Sequence, residues 1–223
     1  MIKNIITGCL MIGMVISACS QPQTNQAKLV KNEVKPMENL MNKDLEIATL
    51  GGGCFWCVEA VYQDLAGVEA VVSGYSGGHV KNPTYEQITT KTTGHVEVVQ
   101  VHFDPKVIGF DEILDVFWRT HNPTTLDQQG ADKGPQYRSV VFYHNDTQKE
   151  IAEKSMKEAE AAGYWPDPFV TKIQPLINFY EAEDYHQDFY TENPNYGYCV
   201  YVIAPKLKKF RKDFSGKLKE NAQ

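Results

Sequence analysis

The sequence predicts an α+β fold, a ferredoxin-like βαββαβ core with extra helices and a C-terminal extension. The first observation behind this prediction is the order of the elements, which is strand, helix, strand and then the same order again. The second is composition, because 223 residues with 42% hydrophobic and 11% aromatic residues are typical of a globular protein with a proper core. Both observations favour one domain, predicted to span residues 44–223.

The first strand–helix–strand unit lies at the start of this domain. LEIATL (45–50) is short, apolar and suited to a β-strand, and VEAVVSGY (68–75) is predicted to be the second strand. Between them we expect a helix that Gly67 ends. The residues at helical spacing in this segment are Cys54, Val58, Val61, Tyr62 and Leu65.

The second unit has the same order. HVEVVQVHF (95–103) is a strong strand, DEILDVFWRT (111–120) has a helical apolar face, and RSVVFYH (138–144) is another strand. Between the two units, Asn82 and Pro83 predict a short helix with proline at its first position.

The elements after the second unit form the extension. Thr147 and Glu150 predict a capping box that opens a helix to about Ala162. A strand near 171–176, a helix near 183–191 and the loop NPNYGYC (193–199) are expected next. The lysine-rich end, PKLKKFRKDFSGKLKE (205–220), is predicted to be a helix with a solvated charged face. Its apolar residues at helical spacing are Leu207, Phe210 and Phe214.

The first residues predict a lipoprotein signal peptide, residues 1–18. Lys3 precedes the apolar run IITGCLMIGMVI, which is shorter than the ~20 residues that span a bilayer. In VISACS, small residues stand directly before Cys19, which favours Cys19 as the lipidated mature N-terminus, with Cys9 removed. A plain secretory peptide cut nearby is the alternative.

Residues 19–43 are polar and without a clear period, so we expect a flexible tether between the lipid and the domain. This predicts a lipid-anchored protein of the cell envelope, on the periplasmic side of a membrane, the outer membrane being one option. The membrane is contacted through the N-terminal lipid only.

The formal net charge of −6 and the lack of a basic stripe before the C-terminus argue against nucleic acid binding. Coiled-coil heptads are absent, so a monomer is expected.

Three cysteines remain for chemistry once the predicted signal is removed: Cys54, Cys57 and Cys199. Cys54 follows three glycines and opens the first helix, where free backbone N–H groups and the helix dipole favour a thiolate. The position therefore predicts a reactive, exposed cysteine with a lowered pKa. The alternative is a structural disulfide, which is common in exported proteins.

The C-x-x-C pair also has other interpretations. Structural zinc needs four ligands, and the sequence has only one such pair and no H-x(3–5)-H pair to complete it. A dinucleotide-binding glycine motif would need glycine where Trp56 stands. A thioredoxin-type dithiol remains the alternative to a single reactive cysteine. No metal and no cofactor is predicted.

Glu97 is a candidate acid in the strongest predicted strand. By the period of two, it shares a face with Val99, Val101 and Phe103. A carboxyl group in an apolar row has a raised pKa and stays protonated near neutral pH, as a general acid must. The alternative is an edge position at which Glu97 faces solvent.

Several separate motifs, in order, resemble those of the A-type peptide methionine sulfoxide reductases. The similar segments are GGGCFW (51–56) with VEA (58–60), PTYEQI (83–88), TGHVEVVQVHFDP (93–105), FWRTHNPTTLDQQGADKGPQYRSVVFY (117–143), AEDYHQDFY (182–190) and NPNYGYC (193–199). The resemblance covers about residues 45–205 without a large gap. It implies a mixed α+β ferredoxin-like fold, which agrees with the order of elements above.

The resemblance also implies residue roles. Cys54 is similar to the catalytic cysteine that attacks the sulfur of methionine sulfoxide, and Glu97 to the acid that activates the sulfoxide oxygen. Phe55 and Trp56 resemble the walls of the pocket for the substrate's S-methyl group. The remaining correspondences are Tyr85 and Tyr137 to phenols that hydrogen-bond the oxygen, Asp132 to a carboxylate that orders the site, and Cys199 to the resolving cysteine.

The implied reaction reduces methionine-S-sulfoxide in proteins, and in free or small substrates, through a sulfenic acid at Cys54 and an intramolecular disulfide. A thioredoxin-like reductant would restore the enzyme. Cys57 departs from the family, in which glycine is common at this position. It could resolve the sulfenic acid, relay a disulfide from Cys199, or pack as a small residue. We favour Cys199 as the resolving cysteine because its motif is intact.

Overall fold

The computed structural model describes residues 44–222. The predicted signal peptide (1–18), the lipidation site Cys19 and the predicted tether (19–43) lie outside the described residues. None of the helices within 44–222 is long and apolar enough to cross a membrane.

A six-stranded sheet forms the centre of the domain, in the order β7-β6-β1-β3-β2-β8. Its strands are β1 (Glu46–Gly52), β2 (Val68–Ser76), β3 (Val96–Phe103), β6 (Ser139–Tyr143), β7 (Lys172–Pro175) and β8 (Phe179–Glu181). The strands β4 (Gln128–Gln129) and β5 (Asp132–Lys133) form a separate two-stranded ribbon. Neighbouring strands of the sheet are antiparallel, except that β6 and β7 run parallel.

The helices connect these strands and extend the chain. They are α1 (Phe55–Gln63), α2 (Tyr85–Thr89), α3 (Phe110–Thr120), α4 (Asp146–Ala161), α5 (Phe189–Glu192) and α6 (Ala204–Asp213). A π-helical turn, Cys199–Ile203, leads into α6. The four central strands with α1 and α3 have the βαββαβ order and antiparallel pairing of the predicted ferredoxin-like core, which is therefore confirmed.

The main hydrophobic core lies between the sheet and the helices. Alternation along β3 places Val99, Val101 and Phe103 in this core, while Val96 and Val98 face the opposite side of the sheet. The second side has a small apolar cluster that Leu176 and Phe179 help to cover. The predicted apolar face of the C-terminal helix is also confirmed, because Leu207, Phe210 and Phe214 are all buried.

The predicted caps of two helices were wrong. The cap of α2 is Thr84, in a capping box with Gln87, and not Asn82 and Pro83. The cap of α4 is Asn145, whose side chain accepts from the N–H of Gln148, so Thr147 lies inside the helix. Both errors arose because Ser, Thr and Asn cap helices about equally well and several stand side by side.

The helix expected near 183–191 is interrupted. Asp188 has a left-handed backbone, with φ of 52°, which separates the 3₁₀ turn Asp184–His186 from α5. Buried Glu59 holds this break in place, because its carboxyl accepts the backbone N–H groups of Asp188 (3.1 Å) and Phe189 (3.3 Å). The segment that follows the break is thus fixed to α1.

Glu59 makes stability dependent on pH. Burial raises its pKa to about 8, so the folded protein keeps a proton that the unfolded chain loses near pH 4.5. The contribution of Glu59 to the free energy of unfolding is therefore complete below pH 4.5. It falls by up to about 1.4 kcal/mol per pH unit between pH 4.5 and pH 8. We expect Glu59→Gln to flatten the fall of Tm measured calorimetrically between pH 5 and 8. The half-buried Glu153, on the outer side of α4, serves as the control. Glu153→Gln should leave the slope unchanged, and equal slopes in both variants would contradict the assignment.

Candidate active site

A glycine turn brings Cys54 to the N-terminus of α1. Gly53 has φ of +95°, and a Cβ at this position would lie 2.5 Å from Cγ of Gln129, so only glycine fits there. Cys54 is the N-cap residue of α1 and a free thiol. Its exposed fraction is 9%, so Cys54 is buried, and the prediction of an exposed thiol is wrong.

Glu97 lies beside Cys54. Its Oε2 accepts the backbone N–H of Phe55 at 3.1 Å, and only 2% of the residue is exposed. Burial raises the pKa of Glu97 to about 8, and the neighbouring Asp132 adds to the shift. The prediction that Glu97 lies in the apolar row is therefore confirmed, and the solvent-facing alternative is wrong. The carboxyl of Glu97 is protonated at neutral pH.

The predicted acidity of Cys54 is wrong for the resting protein. Burial, the hydrogen bond to Cys57 and the carboxyl of Glu97 all raise the pKa of Cys54, while the backbone N–H of Trp56 lowers it only slightly. The first free N–H of α1 is occupied by Glu97 rather than by the sulfur. A hydrogen bond from Cys54 lowers the pKa of Cys57 to about 7, with a smaller contribution from Lys206. Within the pair, Cys57 therefore ionises more readily than Cys54.

Two phenols face the same centre. Tyr85 begins α2, where its backbone N–H donates to Glu183 at 2.8 Å, and Tyr137 ends the 3₁₀ turn Pro135–Tyr137. Burial raises the pKa of Tyr85 to about 12, and the charges of Glu97 and Cys54 contribute. Burial and Glu97 likewise raise the pKa of Tyr137. Both phenols are therefore protonated, and both lie within electrostatic range of Glu97 and Cys54.

Asp132 reaches the thiol pair through a residue that the sequence analysis missed. The hydroxyl of Tyr198 donates to Oδ2 of Asp132 at 2.6 Å and lies 3.6 Å from Sγ of Cys57. Burial is the main cause of the raised pKa of Tyr198, which keeps the phenol protonated. Its place directly before Cys199 in the GYC motif was the available signal.

Phe55 and Trp56 form an aromatic group next to the sulfur. Phe55 is 1% exposed, whereas Trp56 is half-buried and stacks on Phe189, with ring centroids 3.6 Å apart and planes inclined by 5°. The edges of Tyr196 and Tyr198 contact the Trp56 ring. The structure thus brings both predicted pocket residues to the site, with further aromatic residues from the C-terminal extension.

Cys199 is fully buried at the start of the π-helical turn. Burial raises its pKa, and the charge of Cys57 contributes to the shift. Cys54, Cys57 and Cys199 are all free thiols in this structure. Among residues 44–222, no group of three His, Cys, Asp or Glu side chains is arranged to hold a metal ion.

Comparison with known proteins agrees with this geometry. The family described as peptide methionine sulfoxide reductase matches residues 46–218. The peptide methionine sulfoxide reductase MsrA 1 of Rhodopirellula baltica is 55% identical over 174 residues, 78% of this chain and 90% of that protein. The MsrA of Saccharolobus solfataricus is 54% identical over 175 residues, 78% of this chain and 98% of that protein.

Solved structures give the same result. Reduced Mxr1 of Saccharomyces cerevisiae has a TM-score of 0.63 at 35% identity, covering 68% of this chain and 87% of that one. Methionine sulfoxide reductase A of Corynebacterium diphtheriae has a TM-score of 0.60 at 34% identity, covering 67% and 76%. Since the family match includes every strand and helix β1–α6, this chain belongs to the peptide methionine sulfoxide reductase family.

Proposed function

We propose that this protein is a peptide-methionine (S)-S-oxide reductase that repairs oxidised proteins by reducing methionine-S-sulfoxide to methionine. The observation that carries the proposal is the meeting of a thiol, a protonated carboxyl and two phenols at the N-terminus of α1. Family membership supports the same reaction and supplies the preference for the S epimer.

The first step requires an acid, because the sulfur of a sulfoxide is a poor electrophile until the sulfoxide oxygen is protonated or strongly hydrogen-bonded. Glu97 donates the proton, and the hydroxyls of Tyr85 and Tyr137 donate hydrogen bonds to the oxygen. Cys54 attacks once its own proton has passed to the Cys57 thiolate, with which it shares a hydrogen bond. Methionine leaves, and the oxygen remains on Cys54 as a sulfenic acid.

In the second step, a thiol condenses with the sulfenic acid to give a disulfide and water. The sequence favoured Cys199 for this step, but Cys57 lies one helical turn from Cys54 and its pKa is about 7. We therefore assign the first disulfide to Cys54 and Cys57. Cys199 then exchanges with it, and the resulting disulfide is reduced by an external dithiol of the thioredoxin type. Overall, one methionine sulfoxide and one dithiol give methionine, a disulfide and water.

The two resolving cysteines can be separated by substitution. In Cys199→Ser we expect release of one methionine per enzyme, and then loss of thioredoxin-coupled turnover, because the disulfide stays between Cys54 and Cys57. The measurement is single-turnover methionine release beside steady-state NADPH oxidation with thioredoxin and its reductase. Normal cycling by Cys199→Ser with failure of Cys57→Ser would remove Cys199 from the pathway.

The activity itself is tested with a mixture of methionine sulfoxide epimers and dithiothreitol. We expect the S epimer to be consumed and the R epimer to remain, so that about half of an even mixture is left. A disulfide oxidoreductase without sulfoxide dependence would leave both epimers intact, as would a lipoprotein that only binds oxidised partners. Either result would reject the proposed reaction.

The proposed location is the cell envelope, where lipid on Cys19 holds the protein on the periplasmic side of a membrane. The proposed oligomeric state is a monomer. The support is the VISACS sequence and the polar stretch 19–43 that follows it. We expect metabolic incorporation of a fatty-acid probe into the full chain and its loss in Cys19→Ser. A labelled Cys19→Ser protein, or an unlabelled full chain, would rule out the anchor.

A further inference from the structure

We propose that the outer face of α6 and of the turn before it binds an anionic lipid surface, and so holds the domain against the membrane with its active site beside the bilayer. This outer face consists of Tyr201, Lys208, Lys209 and Lys212, all of which are exposed. The inference goes beyond the proposed activity. It rests on the proposed envelope location, because only an anchored protein stays near such a surface.

The packing of α6 directs these lysines outward. The helix packs into the core through Leu207 and Phe210, each 2% exposed. With about 3.6 residues per turn, Lys208, Lys209 and Lys212 fall on the opposite side of the helix. The burial pattern agrees, because all three lysines are exposed. The basic side of the helix is therefore open to a partner.

The charge of this end of the chain is opposite in sign to that of the whole protein. Residues 200–223 contain seven Lys and Arg and two Asp and Glu, a net charge of +5, whereas the whole chain has −6. Lys209 pairs with Asp213 at 2.7 Å. Lys208 and Lys212 have no ion pair with any residue among 44–222. These two lysines can therefore bind anionic headgroups without first losing an internal partner.

Tyr201 adds an apolar surface next to the lysines. It is 82% exposed, and its neighbours Val200 and Val202 are 41% and 39% exposed. Tyrosine is favoured at a membrane–water interface, because its ring is apolar while its hydroxyl stays hydrated. Exposed lysines beside an exposed aromatic residue are a combination that suits the headgroup region of a bilayer. Charge and apolar surface therefore favour the same partner.

The chain enters the domain at the edge where the lysine-rich segment ends. β1 begins at Glu46, which pairs with Phe103, and Phe103 pairs with Val68. Leu65, just before Val68, bridges to Leu218. The tether predicted from the sequence would thus join the domain close to this segment. A flexible chain of its length spans about 25–30 Å, which would keep the outer face of α6 near the bilayer.

The other end of the same segment lies at the active site. The hydroxyl of Tyr198, directly before the π-helical turn, is 3.6 Å from Sγ of Cys57. The turn and α6 therefore connect the thiol pair with the edge at which the chain enters. When the outer face of α6 lies on the bilayer, the active site is held near the membrane surface. Oxidised methionines of membrane-associated proteins are then the substrates within reach.

The test measures how the full-length Cys19→Ser protein, which cannot carry the proposed lipid, partitions into vesicles. The vesicles contain phosphatidylcholine with about one third phosphatidylglycerol. Adding Lys208→Gln and Lys212→Gln should lower the partition coefficient about 30-fold, and pure phosphatidylcholine vesicles should bind both proteins equally. The control adds Lys149→Gln and Lys154→Gln on α4 instead, which changes the net charge by the same amount. It should partition like the parent.

A second variant reports contact of this face directly. In Tyr201→Trp, brominated phosphatidylglycerol should quench more tryptophan fluorescence than in the parent. Equal partitioning of the α6 and α4 variants, or no extra quenching in Tyr201→Trp, would overturn the proposal. So would unchanged partitioning of the α6 variant with a raised KM for thioredoxin, which would assign the face to a protein partner.

Turnover of free methionine-S-sulfoxide with dithiothreitol separates this proposal from the proposed function. The α6 variant and its parent should have the same rate, because neither Lys208 nor Lys212 belongs to the reacting groups. A parent that is inactive in this assay would reject the proposed reaction, while the partitioning still decides whether the outer face of α6 binds lipid.

Discussion

Cys54→Ser is expected to lose at least about 10⁴-fold in the rate of methionine sulfoxide reduction, because the oxygen-accepting nucleophile is removed. A serine hydroxyl at this position is far less acidic than the thiol and cannot form a sulfenic acid. The measurement is methionine released in a single turnover, with dithiothreitol left out so that resolution and recycling do not contribute.

Cys57→Ser is the matched control for this variant. It removes from the same turn of α1 the thiol whose pKa is lowered, but it leaves the atom that accepts the oxygen. We expect it to release methionine in a single turnover, more slowly than the wild type, because Cys54 loses its proton acceptor. Methionine release by Cys54→Ser, or its complete absence in Cys57→Ser, would place the nucleophile on Cys57 instead.

Glu97→Gln should lower kcat by about 10²- to 10⁴-fold, the usual contribution of a general acid. The amide keeps the shape of the side chain, and its oxygen can still accept the N–H of Phe55, but it has no proton to transfer. The pH profile gives an independent readout. Because the pKa of Glu97 is raised to about 8, the wild-type rate should fall above that pH as the acid ionises. The Gln variant should show no such fall.

Glu59→Gln is the control for Glu97→Gln. Glu59 is 1% exposed, its pKa is also raised to about 8 by burial, and its bonds go to Ser73, Asp188 and Phe189 rather than to the reacting groups. Its replacement should change kcat less than about threefold and preserve the fall above pH 8. An unchanged rate in Glu97→Gln, or an equal loss in Glu59→Gln, would exclude Glu97 as the acid.

Local signals located most elements but not their caps. Alternation in residues 95–103 predicted β3 within one residue, and the apolar face of 111–120 predicted α3 equally well. The caps of α2 and α4 were misplaced because neighbouring residues cap with similar energies. The short strands β4, β5 and β8 have only two or three residues, too few to show a period.

The chemistry of the site followed the same division. The sequence alone determined the βαββαβ core and the family, because each is written in a local period or in contiguous motifs, but it left open whether Glu97 is buried. Only the tertiary structure decided which cysteine of the pair is the more acidic and how Tyr198 joins Asp132 to Cys57. These properties depend on burial and on contacts between residues far apart in the chain, and neither distance nor desolvation can be read from residue order.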